Sequence, residues 1–219
     1  MTRMPSAGLW FVALALGLSA LGCTPGGVGD PCIPEDEYQQ YFNGFQVTET
    51  NVESRSFQCE TRVCLVNHFQ GRVSCRMGQD AQVDAAGMPV AGYHPKCSIP
   101  GTEPTDNPAD PSRNNVLVQV PAQLLDRQTE RAVYCSCRCD GPEKNAKYCE
   151  CPEGFECSPV VQNLKITQGS GQLAGSYCIR TGSAYNAADR PSGTTCASNP
   201  GACGCDVTGK DRPAECGVE

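Results

Sequence analysis

The chain has 219 residues, 17 of them cysteine, while Leu, Ile, Val and Phe together number only 38, about 17 %. That is too thin an apolar supply for the core of an ordinary enzyme, and a cysteine content near 8 % marks an exported disulfide scaffold. The formal net charge of −7 comes with no basic cluster, which argues against nucleic acid and against electrostatic docking on anionic lipid.

Residues 1–22 read as a signal peptide. Arg3 and the amino terminus form a positive start, and an apolar run follows from Leu9 to Leu21. Thirteen residues are too few for a permanent membrane span, which needs about 20, and suit the apolar stretch of a secretory signal. No later stretch approaches that length.

The run closes on Ala20-Leu21-Gly22-Cys23, which resembles the lipobox of bacterial lipoproteins, with Ala20 and Leu21 exchanging their usual places. The resemblance implies cleavage before Cys23 and attachment of lipid to its sulfur as a thioether, a palmitate-containing lipid anchor. It also implies delivery to the outer membrane, because Thr24 rather than Asp follows the cysteine. Ordinary signal cleavage near Gly22 is the alternative. Residues 23–31, rich in Gly and Pro, then form a flexible tether.

Parity supports the anchor independently. Seventeen is odd, and assigning Cys23 to lipid leaves sixteen cysteines, enough for eight bridges. They fall into three groups. The first holds Cys32, Cys59, Cys64, Cys75 and Cys97; the second Cys135, Cys137, Cys139, Cys149, Cys151, Cys157 and Cys178; the tail Cys196, Cys203, Cys205 and Cys216. Five is odd, so at least one bridge must leave the first group, and the simplest scheme sends it to the second while the tail closes on itself.

These groups define a cysteine-rich N-terminal part (32–97), a Pro-rich loop or linker (98–114), a cysteine-rich β part (115–180) and a cysteine-containing tail (181–219). Short Val-, Thr- and aromatic-rich runs predict strands at Phe45–Val52, Arg62–Val66, Arg72–Cys75, Val116–Val120, Arg131–Cys137, Val160–Thr167 and Gln172–Ile179. Short helices are expected at Pro34–Phe42 and Pro121–Arg127, each opened by Pro. The fold class is therefore small, disulfide-rich, mainly β and irregular, with short strands and hairpins and at most two short helices.

Two local patterns stand out. Cys59 to Cys75 and Cys151 to Cys178 share a form, two spaced cysteines, a strand, then Gly and a β-former before a third cysteine, which suggests a duplicated stapled hairpin. The stretch Cys149 to Cys178 also resembles, weakly and over about thirty residues, the end of an EGF-like module; no ligand or calcium site is carried across.

Cys135-Ser-Cys137-Arg-Cys139 offers two readings. In one strand its three sulfurs would share a face and could hold a metal, whereas the preferred reading sends them to three separate disulfide partners. No Cys-x-x-Cys occurs. Only His68 and His94 are available as imidazole bases, and both read as ordinary surface or half-buried residues. Asp80/Asp84 and Asp106/Asp110 lack the EF-hand pattern, and the acidic run Glu35-Asp36-Glu37 reads as loop carboxylates that could at most meet another carboxylate in space.

The expected site residues are thus Cys23 for lipidation and the sixteen bridging cysteines, with no catalytic or metal residue and no cofactor. The expected function is that of a lipid-anchored, non-catalytic envelope or surface protein, structural or protein-binding. Its partners would be the membrane, through the lipid, and an unknown protein or envelope polymer. The alternative is a protease inhibitor displaying a stapled loop near Arg138 to Lys147, and a carboxylate-dependent envelope hydrolase is the weaker third.

Overall fold

The computed structural model describes residues 25–86, 88, 90, 96–103, 114–161, 173–185 and 193–205. The expected signal segment, Cys23, His94, Asp106, Asp110 and Cys216 lie outside the described residues. Two three-stranded antiparallel sheets carry the fold. Strands β1 (Thr50–Glu53), β2 (Val63–Asn67) and β3 (Val133–Ser136) form the first, in the order β1-β2-β3. Strands β4 (Arg138–Asp140), β5 (Phe155–Val161) and β6 (Gly175–Arg180) form the second, in the order β4-β6-β5. This is the mainly β, disulfide-rich class that the composition requires.

The first sheet crosses the Pro-rich segment: β1 and β2 precede it, and β3 follows it. Val63-Cys-Leu-Val is apolar without alternation, the pattern of a strand covered on both sides, and packing supplies both covers. Cys64 and Val66 join Val133 and Cys135 against Cys32, Phe45, Cys59 and Phe69. Leu65 and Tyr134, pointing the other way, meet Tyr177 and Ile179 of the second sheet.

Seven disulfides are described: Cys32–Cys64, Cys59–Cys135, Cys75–Cys97, Cys137–Cys149, Cys139–Cys157, Cys151–Cys178 and Cys196–Cys203. Cys205 is disulfide-bonded as well. One bridge, Cys59–Cys135, leaves the first group for the second, and Cys196–Cys203 stays within the tail. The hairpin echo has no common connectivity: Cys151 and Cys178 are bonded to each other, whereas Cys59 and Cys75 each go elsewhere.

Several expected strands are shorter or absent, for identifiable reasons. Val116, Leu117 and Val120 are buried while Gln119 is exposed, and the partners of this segment come from different parts of the chain. Val116 N donates to Cys97 O (3.0 Å), Leu117 N to Gln40 O (2.9 Å) and Val120 N to Gln79 O (2.9 Å). The Gln79 side chain completes the pairing, its amide donating to the carbonyls of Val116 (2.6 Å) and Val118 (3.0 Å). No continuous ladder can form with so many partners.

Residues 72–75 make a turn instead of a strand, because the amides of Val73 (2.5 Å) and Ser74 (2.9 Å) donate to the Glu37 carboxylate. Phe45–Val52 keeps only its last residues in β1, Phe45 pairing alone with Gly71. Of the expected Val160–Thr167 run, residues 160–161 end a strand that begins at Phe155, and residues 162–167 lie outside the described residues. Helical turns occupy Glu35–Tyr38 and Leu125–Arg127 within the expected ranges, with further turns at Thr129–Ala132 (α1) and Pro200–Cys203.

Long polar side chains fill much of the interior. Arg72 is fully buried and donates to the carbonyls of Glu37, Gln39 (3.2 Å) and Phe42 (2.9 Å). Glu37, also fully buried, accepts a third bond from Ser74 Oγ (2.7 Å). Together they bolt the 35–42 segment to the 72–74 turn. Arg127 clamps the end of β2 in the same way, donating to the carbonyls of Asn67, His68 (3.0 Å) and Ser183 (2.7 Å). Gly71 makes the tight approach there, at φ +89°, where a Cβ would lie 2.4 Å from Pro121 O.

Two stability measurements follow. Disulfide stabilisation grows with the loop closed, so Cys59→Ala/Cys135→Ala, which opens a separation of 76 residues, should cost about 4 kcal/mol in denaturant unfolding. Cys137→Ala/Cys149→Ala, with a separation of 12, should cost about 3 kcal/mol; the reverse order would contradict the loop argument. Arg72→Met should cost about 3–5 kcal/mol, because it leaves the buried carbonyls of Glu37, Gln39 and Phe42 without their donor and removes the nearby positive charge that opposes the burial of the Glu37 carboxyl. Adding Glu37→Gln should recover part of that loss in the same assay.

Candidate functional site

The segment Gly29–Tyr38 lies between two clefts. Its start is stitched to β3, with Gly29 N donating to Cys135 O (2.8 Å) and Cys135 N to Asp30 O (2.8 Å). Its middle is held by Gln58, whose side chain accepts from Ile33 N (3.0 Å) and donates to Ile33 O (2.7 Å). Ile33 and Gln58 therefore form a common wall, and a cleft opens on each side of it.

The larger cleft, about 540 Å³, is floored by Pro31, Cys32, Val73 and Val133 and edged by Glu130 and Arg180. Arg180 is fixed by two aromatic faces, its guanidinium 5.6 Å from the Tyr134 ring centre and 4.9 Å from that of Phe155. Its amide donates to Tyr134 Oη (2.9 Å), so the side chain is a rigid part of the wall.

The smaller cleft, about 420 Å³, runs between Glu35 and Tyr38 on one side and Glu53, Arg55, Ser56 and Phe57 on the other. Glu53, at the end of β1, accepts a hydrogen bond from Glu35 N (3.0 Å) and so anchors the helical turn. Burial pushes its carboxyl above the ordinary 4.5, and repulsion from Glu35 and Asp36 adds to the rise while the Glu35 amide opposes it. Tyr38 is half exposed and Phe57 is 78 % exposed, with Arg62 stacked 4.1 Å from the Phe57 ring centre. Ser56 is only 2 % exposed, and its Oγ has no hydrogen-bond partner.

The sequence-expected residues are distributed as follows. Cys135, Cys137 and Cys139 do not share a strand face: β3 ends at Ser136, β4 begins at Arg138, and the sulfurs go to Cys59, Cys149 and Cys157. Sulfurs of neighbouring bridges do converge, Cys178 Sγ lying 3.5 Å from Cys137 Sγ and 3.8 Å from Cys149 Sγ. Every described cysteine is bonded, so thiolate ligation there would first need these bridges reduced.

His68 stacks on Tyr185 (4.1 Å, 14°), and its Nδ1 lies 2.9 Å from Val47 O. Burial, with Arg127 nearby, holds its pKa below the usual imidazole value although the Val47 carbonyl pulls the other way. Asp84 is exposed and closes its own turn by accepting from the amides of Ala86 (2.8 Å) and Met88 (2.9 Å), and Asp80 is exposed. In the stapled loop Arg138 pairs with Glu143 (3.2 Å) and lies over Tyr148, while Lys144 and Lys147 are exposed.

Of the acidic run, Glu37 is structural and Glu35 reaches the smaller cleft beside Glu53. Sequence reasoning did not find Glu53, Arg55, Ser56 or Phe57. Their only signal is that a charged and aromatic run follows a strand, and the register against Glu35 is set by tertiary structure. No family model matches the chain, and neither the curated proteins nor the solved structures contain a match.

The raised Glu53 pKa carries a sign. A carboxyl whose folded value exceeds its unfolded one contributes stability that is complete below about 4.5 and is lost as pH rises through the folded value. The stability of wild type relative to Glu53→Gln should therefore be more favourable at pH 4 than at pH 7, as read from paired urea titrations. An unchanged difference would mean that Glu53 is not held in this environment.

Proposed function

We propose that this chain is an exported, lipid-anchored and non-catalytic binding protein of a bacterial envelope. The observation that carries the reading is the cysteine pairing: all fifteen described cysteines are bonded, which suits an oxidising compartment. The N-terminal signal and Cys23 supply the route and the anchor. Among the described residues no helix is long and apolar enough to cross a membrane, so attachment in this reading depends on the lipid.

Chain length limits how far the clefts can lie from the bilayer. Five residues lie between Cys23 and Gly29, and an extended chain spans at most about 3.5 Å per residue step, so Gly29 sits within about 20 Å of a lipid-bearing Cys23. The disulfide framework then holds a preformed double cleft near the membrane surface. Binding to a rigid site avoids the ordering cost that a flexible loop would incur. A second reading, protease inhibition, draws on the Cys137–Cys149 staple with Lys144 and Lys147 exposed on its loop.

Intact-mass spectrometry of the native protein extracted from membranes tests the anchor. The expected mass starts at Cys23, carries acyl chains and lacks sixteen hydrogens; an unmodified N-terminus would overturn the lipoprotein reading. Inhibition of any member of a serine-protease panel, abolished by Lys144→Ala or Lys147→Ala, would replace the main reading with the second.

A further inference from the structure

We infer that the smaller cleft, between the Glu35–Tyr38 turn and the Glu53–Gln58 segment, is a saccharide-binding site. The inference rests on reading the chain as a binding protein and names the ligand class; the lipid anchor does not enter it.

A sugar ring presents hydroxyls that both donate and accept, arranged around an apolar face of C–H groups. The cleft holds the matching set. Glu35 and Glu53 accept, the Arg55 guanidinium donates, and Tyr38 and Phe57 offer ring faces at its edge. Phe57 is already covered on one side by Arg62, which fixes the ring while leaving it largely exposed. A volume of about 420 Å³ is in the range of small-molecule sites.

The independent pointer is Ser56. A buried hydroxyl without a partner costs free energy, and such groups in native proteins call for an explanation. Ser56 Oγ is one of the few buried side-chain atoms left unsatisfied, and Ser56 lines this cleft. The Oγ is closed to solvent as it stands, so a ligand hydroxyl would satisfy it after a χ1 rotation toward the cleft.

Two other occupants fit less well. A fatty chain would bury the Glu35 and Glu53 carboxylates and Arg55 against hydrocarbon. A lysine or arginine side chain from a partner protein would find acceptors and aromatic faces, but it would also meet Arg55, a like charge in the same lining. A neutral polyhydroxyl ligand uses both signs of charge together.

Saturation-transfer NMR on the full mature protein, disulfides intact, tests the assignment with chitotriose, cellotriose, maltotriose and mannotriose as probes and trilysine as the cationic comparison. The expected result is transfer to at least one trisaccharide, strongest at ring C–H protons. Phe57→Ala and Tyr38→Ala should each weaken binding about tenfold at unchanged melting temperature, since both rings are exposed. Ser56→Ala should weaken binding without lowering stability, because it removes an orphaned group; a purely structural Ser56 would do the opposite. Absence of transfer to all four trisaccharides, transfer that survives the Phe57→Ala/Tyr38→Ala double variant, or binding of trilysine alone would overturn the proposal. The mass spectrum of the anchor is unaffected by any of these outcomes, so the two readings fail separately.

Discussion

In each sheet two cysteines face one another across the strands without bonding to each other. Cys64 lies opposite Cys135 in the β2–β3 register, yet Cys64 is joined to Cys32 and Cys135 to Cys59. Cys157 lies opposite Cys178 in β5–β6, and they reach out to Cys139 and Cys151. Main-chain hydrogen bonds already hold these strands together, so a bridge between the facing pair would close little additional chain. Directed outward, Cys157 ties β5 to β4 through Cys139, while the other three sulfurs fasten segments that have no ladder of their own, at Cys32, Cys59 and Cys151. The Gly29–Tyr38 segment, which separates the clefts, is one of these.

A second device compensates for the shortage of apolar side chains. Irregular chain carries backbone donors and acceptors that must be paired when buried, and here arginine and glutamine side chains pair many of them. Arg72, Arg127, Gln79 and Gln123 all bond to main-chain carbonyls in the interior. Each fixes two or more segments in direction as well as distance, which generic apolar contact would not do. The apolar clusters are correspondingly small and split between the face of the first sheet, the contact between sheets and the 116–120 segment.

The clefts are a product of both devices. The disulfide at Cys32 and the Gln58 clamp on Ile33 hold the dividing wall, and the Glu37–Arg72 pair holds the helical turn that carries Glu35 and Tyr38. Of the site residues Glu53 adds to that support by accepting from the Glu35 amide, while the side chains of Tyr38, Ser56 and Phe57 contribute little. Phe57 and Tyr38 are exposed, and Ser56 is left with an unpaired hydroxyl.

The sequence by itself determined the class of fold, the approximate places of β2, β3 and β6, and the need for a bridge out of the first cysteine group. These are local or arithmetic properties: apolar runs, turn residues and an odd count. It did not determine that Val116–Val120 lacks a ladder, that Arg72–Cys75 turns, or that the sulfurs of Cys135, Cys137 and Cys139 diverge. Each of those depends on which distant group reaches the backbone first, the Gln79 amide, the Glu37 carboxylate or a partner cysteine. The smaller cleft was hidden for the same reason. Glu35 and Glu53 are eighteen residues apart in sequence, and tertiary contacts, their hydrogen bond and the Gln58 clamp on Ile33, bring the two sides of the site together.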